Sequence, residues 1–216
     1  MNEAKKPDEF IAMKGAGYYS RATIGAKHVM DNATSLILDA VERHPPADDG
    51  SAFTVTDMGC ADGGTSIDMV GQILHEIRAR CPSRPILMVY TDLPRNDFSE
   101  LFQVVHGLSD TKSYFDDIAD LYVMASATSF HNSIVPPNTL SLGHSATASH
   151  YIAEIPVQIL DHVHMVGSSG ATREAFEVQG AIDWENFLLK RTEELSQGGF
   201  LALFNFGIDE EGRYLG

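Results

Sequence analysis

The chain has 216 residues, 44% of them hydrophobic and 21% charged, with a formal net charge of −15. Those values suit a globular chain with one large domain, or one domain and part of another. They exclude the basic face that a nucleic-acid partner requires, and no apolar run approaches the roughly 20 residues that span a bilayer.

The polar start, Met1 to Glu9, has no signal-peptide core, and Cys60 and Cys81 make neither a disulfide framework nor a metal set. A soluble protein in a reducing cytoplasm is the expectation. Residues 1–12 read as an arm with weak helical tendency, and Met13 to Ser20 as a glycine-broken aromatic loop. From Ala22 to Arg43, the spacing of Ile24, Val29, Met30, Ala33, Leu36, Ile37, Ala40 and Val41 predicts an amphipathic helix. His44 to Gly50 ends it.

Phe53 to Thr56 is a β-prone run with Asp57 where the strand should stop. Gly59, Gly63 and Gly64 follow; Thr65 and Ser66 stand where they can cap a helix carried by Ile67, Val70, Ile73, Leu74 and Ile77. Ile86 to Tyr90 is a continuous apolar run, as in a strand covered on both faces. Thr91 to Phe98 leaves its end, a helix starts near Phe98, and residues 107–117 read as an exposed loop. Leu121 to Ala125 and Thr139 to Gly143 are the third and fourth strands, with His144 and Ser145 at the end of the latter. A helix is expected from there to Pro156, then a mobile region to Gly170. Residues 171–196 predict a long helix burying Phe176, Trp184, Phe187, Leu188 and Leu195; Gly198 and Gly199 cap it, and Phe200 to Phe206 is a fifth strand. This alternation predicts a right-handed parallel α/β sheet.

Strand, acid, glycine loop and helix is the way such a sheet builds a nucleotide pocket. The spacing here is Gly-x-x-x-Gly-Gly, without the Lys-Ser/Thr of a phosphate loop, and no arginine or lysine lies between Phe53 and Ile77. The loop therefore suits a nucleoside without phosphates, and S-adenosylmethionine is the common cofactor of that kind; a tight strand-to-helix turn is the plainer alternative. Asp92, just beyond the second strand, can accept two hydrogen bonds from a ribose diol or cap the turn before Pro94. Asp57 can hold a cofactor ammonium or organise the loop amides. Phe130, after Ser129, can stack on adenine or fill the core. His144 reads as a buried hydrogen-bonding residue or a base, and Ser145 lacks the surroundings of a hydrolase nucleophile. His162-Val-His164 lacks the partners of a metal site. Glu193, Glu194 and Asp209 to Glu211 read as solvated faces.

Several stretches in unbroken order resemble the SABATH methyltransferases, which use S-adenosylmethionine to methylate small carboxylates or, in one branch, ring nitrogens. Met13 to Ser20 is similar to the Met-x-Gly-Gly…Ser-Tyr segment, and Asp57 to Gly63 to Asp-Leu-Gly-Cys-Ser-Ser-Gly. Thr91 to Phe98 is close to Asn-Asp-Leu-Pro-Gly-Asn-Asp-Phe. Ser129-Phe-His131 with Val135 to Ser145 resembles Ser-Phe-Tyr…Phe-Pro-x-Asn-Ser-Leu-His-Phe-x-His-Ser, and Asp183 to Gly199 follows Asp-Phe…Phe-Leu-x-x-Arg and Leu-x-x-Gly-Gly.

The resemblance implies a Rossmann-like class I methyltransferase sheet over residues 51–216, an N-terminal arm and helix over 1–50 that contributes to the active site, and a helical cap largely missing from this chain. It assigns Ser20, Asp57, Gly59, Asp92, Leu93, Ser129 and Phe130 to S-adenosyl-L-methionine. Lys14, His28, Ser145, Thr147 and Tyr151 fall on the side of a small carboxylic acid, with His28 and Tyr151 holding the carboxylate for transfer. His28 replaces a carboxamide, Tyr151 a tryptophan, Thr147 an aromatic residue and Arg21 a tyrosine, so the departures gather on the acceptor side. A homodimer is the expected assembly, with no metal. Methylation of a heterocycle nitrogen, a nicotinamide-dependent oxidoreductase and a non-catalytic cofactor-binding protein are the alternatives.

Overall fold

Short apolar strand runs alternate with apolar helical stripes along the chain, and this alternation dictates its layering. The computed structural model describes residues 20, 23–43 and 50–214. The central strand β1, Phe53–Met58, is buried along its whole length. Beside it lie β2, Ile86–Asp92, and β3, Leu121–Ala127; on its other side lie β4, Leu140–Ala146, and β5, Leu195–Phe204. The order is β3-β2-β1-β4-β5 and every pair is parallel, as expected. The chain thus steps outward from β1 in one direction and then returns to the other. That reversal leaves a crevice at the carboxyl ends of β1 and β4.

Helices cover both faces. Phe53, Val55, Ile86, Met88, Tyr90 and Leu142 pack on α1, Ile24–Arg43, α2, Ile67–Arg80, and α3, Phe98–Val105. Met58, Val89 and Leu140 meet Phe187 of α4, Gly170–Glu194, on the opposite face. Met30, Ala33, Ile37 and Val41 form the buried stripe of α1, whereas Leu36 is 64% exposed. Lys27 of α1 is paired with Asp68 of α2 at 2.5 Å. No helix among the described residues is long and apolar enough to cross a membrane.

Several expectations need correction. Strand β4 runs on to Ala146, so His144 and Ser145 lie within it rather than beyond it. No helix follows: Thr147 has a left-handed backbone (φ 56°), and the Ala153 amide donates to Asp183 Oδ2 at 2.8 Å, outside any helical ladder. Gly198 and Gly199 do not cap α4, which passes directly into β5 at Leu195. They sit where the pairing register jumps from Leu140↔Leu195 to Leu142↔Phe200. A Cβ on Gly199 would stand 2.5 Å from the Leu140 carbonyl oxygen, so only glycine lets the strands meet there. Finally, the inward face of α4 is Phe176, Asp183, Phe187, Arg191 and Glu194, while Trp184 and Leu188 are exposed and Leu195 is half-buried.

Glu194 is therefore no solvated residue. Its carboxylate accepts from Arg191 Nε at 2.8 Å and Nη2 at 2.9 Å, and both side chains are buried. Glu193 does face solvent, beside Lys190 at 3.0 Å.

The segment read as an exposed loop also carries a buried residue. Tyr114 packs beneath α2, and its hydroxyl lies 2.6 Å from that of Tyr90. Burial pushes both phenols well above their ordinary titration range, so the pair stays protonated. Tyr114→Phe is expected to destabilise the chain by about 1–3 kcal/mol, because the Tyr90 hydroxyl loses its partner out of reach of water. Urea unfolding measures this, and Tyr90→Phe added to it should recover part of the loss. An unchanged midpoint in the single variant would mean that the hydroxyls do not meet.

Candidate active site

The crevice is floored by the glycine loop. Asp57, the penultimate residue of β1, lies side by side with His144 of β4, and the two are register partners. The Ser66 hydroxyl donates to Asp57 Oδ2 at 2.7 Å instead of capping α2, whose first residue it precedes. His144 Nδ1 stands 3.7 Å from Asp57 Oδ1, and neither ring nitrogen of His144 has a hydrogen-bond partner. Among the described residues Asp57 is thus a buried carboxylate with one firm donor, on Oδ2.

Gly59 turns with φ 88°, and a Cβ there would come within 2.3 Å of the Ala148 Cβ. This contact lets the end of β4 close over the loop. The Gly59 and Cys60 amides both donate to the Thr91 carbonyl, at 2.9 and 3.1 Å. Ala61 sits in the left-handed region (φ 49°) and is held from two sides. Its amide donates to Asp92 Oδ2 at 2.8 Å, and its carbonyl accepts from Asn96 Nδ2 at 2.7 Å. Asp92 Oδ1 accepts from the Leu93 amide at 2.7 Å.

Each oxygen of Asp92 therefore carries one backbone donor. An ionised carboxylate has about four acceptor positions, so two remain for a diol. Asp92 thus organises the turn and still has acceptor positions open. Burial pushes its carboxyl above the ordinary 3.8, against the pull of the two amides. Burial and the neighbouring Asp57 and Asp92 likewise hold the Cys60 thiol protonated.

Sequence reading passed over Asp62. It is buried, and it accepts from the Ser20 amide at 3.1 Å and from the Ser20 hydroxyl, tying the residue ahead of α1 onto the loop. An acid between two loop glycines was the available signal. A Cβ on Gly64 would strike the Ser20 Oγ at 2.4 Å, so that glycine makes room for the tie.

Beyond β3, the Ser129 Oγ accepts from the His131 amide at 3.3 Å. Phe130 is half-buried and stands edge-on to Phe187 with ring centres 5.9 Å apart. Its carbonyl accepts from Arg191 Nη1 at 2.6 Å, and Arg191 Nη2 reaches the Asn132 carbonyl at 2.7 Å. Glu194 Oε1 accepts from the Ile134 amide at 2.6 Å and the Val135 amide at 3.4 Å. The buried ion pair thus grips both ends of the segment that presents Phe130.

On the acceptor side the expected residues have unlike surroundings. Ser145 is buried and its hydroxyl donates to the Met58 carbonyl at 2.9 Å. Thr147 is buried with a left-handed backbone; its amide donates to the Phe204 carbonyl at 2.8 Å, and Oγ1 is without a partner. Tyr151 is 60% exposed, with its ring 4.6 Å from that of His150. Burial lowers the His150 pKa, partly countered by Asn205. Leu93 is exposed beside Asp92, His28 is exposed on α1, and Lys14 and Arg21 lie outside the described residues. The structure brings Ser20, Asp57, Gly59, Asp92 and Leu93 around one loop.

Over residues 8–215 the sequence matches the family of SAM-dependent carboxyl methyltransferases. The chain belongs to that family. It is 26% identical to indole-3-acetate O-methyltransferase 1 of Arabidopsis thaliana across 72% of this chain and 45% of that protein. It is 28% identical to methyltransferase FUS9 of Gibberella fujikuroi, across 89% of this chain and 51% of that one. The chain spans about half the length of these curated relatives. Loganic acid methyltransferase, solved with SAH, shares the fold at a TM-score of 0.74 and 21% identity, covering 94% of this chain and 60% of that one. The five strands and the glycine loop are thus the carboxyl methyltransferase sheet, and the predicted fold class and family are correct.

Proposed function

We propose that this carboxyl methyltransferase chain uses S-adenosylmethionine to convert the carboxylate of a small organic acid to a methyl ester. The observation that carries the reading is Asp92, a part-buried carboxylate at the end of β2 with one backbone donor on each oxygen, beside a glycine loop without a cation. That site takes a ribose diol and offers a phosphate nothing.

When bound, the cofactor would supply a methyl group on a sulfonium, so that a carboxylate oxygen bonds to the methyl carbon as the carbon–sulfur bond breaks and the sulfur leaves as a neutral thioether. Asp92 holds the ribose hydroxyls, Asp57 offers Oδ1 towards the ammonium, and Phe130 gives an aromatic face to the base. Ser20, Gly59, Leu93 and Ser129 complete that side. A carboxylate is already ionised at neutral pH, so no strong base is required. Tyr151 and His28 donate hydrogen bonds that aim the acid, with Lys14, Ser145 and Thr147 around them; the work is alignment and exclusion of water. A cytoplasmic setting is supported by two unpaired cysteines, and a homodimer by the motif resemblance.

The test is incubation with S-adenosylmethionine and a panel of small acids, with products read by mass and by ester hydrolysis. A methyl ester is the expected product. Tyr151→Phe should lower kcat/KM by about 1–3 kcal/mol of transition-state binding, a roughly 5- to 150-fold loss. A methylated nitrogen would move the acceptor to a heterocycle. SAH binding without turnover would leave only a cofactor-binding protein, and stabilisation by a nicotinamide dinucleotide alone would point to an oxidoreductase.

A further inference from the structure

His131 lies between the cofactor side and the acceptor side of the crevice. It belongs to the segment after β3 that carries Ser129 and Phe130, and the buried Arg191–Glu194 pair clamps that segment from beneath. The His131 ring stands 4.7 Å from that of Phe130. Its Nε2 lies 3.1 Å from the Tyr151 carbonyl oxygen, in the segment after β4. A carbonyl oxygen only accepts, so Nε2 must carry the proton. Nδ1 is buried without a partner, a cheaper arrangement for a lone pair than for an N–H group.

The segment carrying Tyr151 is irregular backbone. Its anchors nearby are Thr147 on Phe204, the Tyr151 amide on Ala148 and the Ala153 amide on Asp183. The Tyr151 side chain itself is largely exposed. Its ring meets only that of His150 among the aromatic contacts of the described residues, and His131 holds its backbone by the carbonyl.

We propose that His131 is a positioning residue: its Nε2–H bond to the Tyr151 carbonyl fixes where the Tyr151 hydroxyl meets the acid and ties that point to the segment bearing Phe130. This rests on the reading of Tyr151 as a holder of the acid. The resembling motif has tyrosine where this chain has His131, so the imidazole bridge belongs to this sequence.

Steady-state kinetics on the best acid, SAH calorimetry and nitrogen NMR of the imidazole test it together. His131→Phe keeps a ring and removes the donor; the KM for the acid should rise roughly 3- to 10-fold, the worth of one neutral hydrogen bond. The kcat and the SAH affinity should stay within about twofold, because the proposal gives His131 a role in placing Tyr151 and none on the reacting groups. His131→Gln places an amide N–H where Nε2–H stands and should restore the KM, whereas the shorter His131→Asn should not. In the wild-type chain the spectrum should show the Nε2–H tautomer. An unchanged KM in His131→Phe, an SAH affinity that falls in step with it, or an Nδ1–H tautomer each overturns the proposal. Failure of the wild-type chain to esterify any acid overturns the carboxyl reading instead, and the tautomer still reports on the bridge without turnover.

Discussion

Glu194→Ala is expected to destabilise the folded chain by about 3–5 kcal/mol, since it leaves the buried Arg191 guanidinium without its counter-charge. The same change strips the Ile134 and Val135 amides of their acceptor. For a chain of this length that loss lowers the melting temperature by roughly 6–20 °C. An isolated buried pair can often be replaced by two apolar side chains at little cost. Here Arg191→Met with Glu194→Met should recover only part of the loss, because the Phe130 and Asn132 carbonyls and two amides are left unmatched in the interior. Thermal melts of the single and double variants decide this. Full recovery in the double variant would show that the pair holds itself together and not the segment around it.

Asp92→Ala should weaken SAH binding by about 1.5–3 kcal/mol, the cost of removing charge-assisted hydrogen bonds, or roughly 10- to 150-fold in affinity. Asp92→Asn separates charge from shape. The dependence on pH follows from the buried carboxyl, whose pKa lies above 3.8. Only the ionised form accepts from both hydroxyls, so binding favours it and expels the proton. Affinity should therefore fall as the pH drops through that raised pKa, sooner than an ordinary aspartate would allow, and Asp92→Asn should flatten that part of the profile. Calorimetry across the acid range measures both effects. Unchanged affinity in a folded Asp92→Ala would remove Asp92 from the cofactor.

The parts of the fold that could be read ahead are those where local chemistry and the final environment agree. Ile86 to Tyr90 is uncharged because both of its faces are covered, and Asp57 and Asp92 stand out because an acid at the end of such a run has few other uses. Ser66 was placed correctly at the helix start, but its hydroxyl serves Asp57, a partner nine residues away that capping rules do not consider. Glu194 was misread because it follows Glu193 in an acidic pair, although Phe187, Arg191 and Glu194 recur at helical spacing on one face. A stripe sought only among apolar residues misses buried charges that neutralise each other. The helix expected after β4 failed for a tertiary reason: Asp183 on α4 and Phe204 on β5 take amides that a helix would have needed. Ser20 and Asp62 meet across 42 residues, beyond any local signal.

The parallel pairing of β1 with β4 bears on how the molecule forms. Ser145 and Met58, which join these strands, are 87 residues apart in the chain, and β2 and β3 lie in the stretch between. Closing so long a loop costs chain entropy before any pairing offsets it, and contacts of that span slow a chain's arrival at its native state. Asp57 and Asp92 lie on β1 and β2, which pair across a shorter stretch of chain, whereas the wall that carries Ser145 and Thr147 needs the longer closure of β4 on β1. The two sides of the site are thus unlike in assembly: the side of Asp57 and Asp92 rests on a nearer strand pair, and the side of Ser145 and Thr147 on the most distant one.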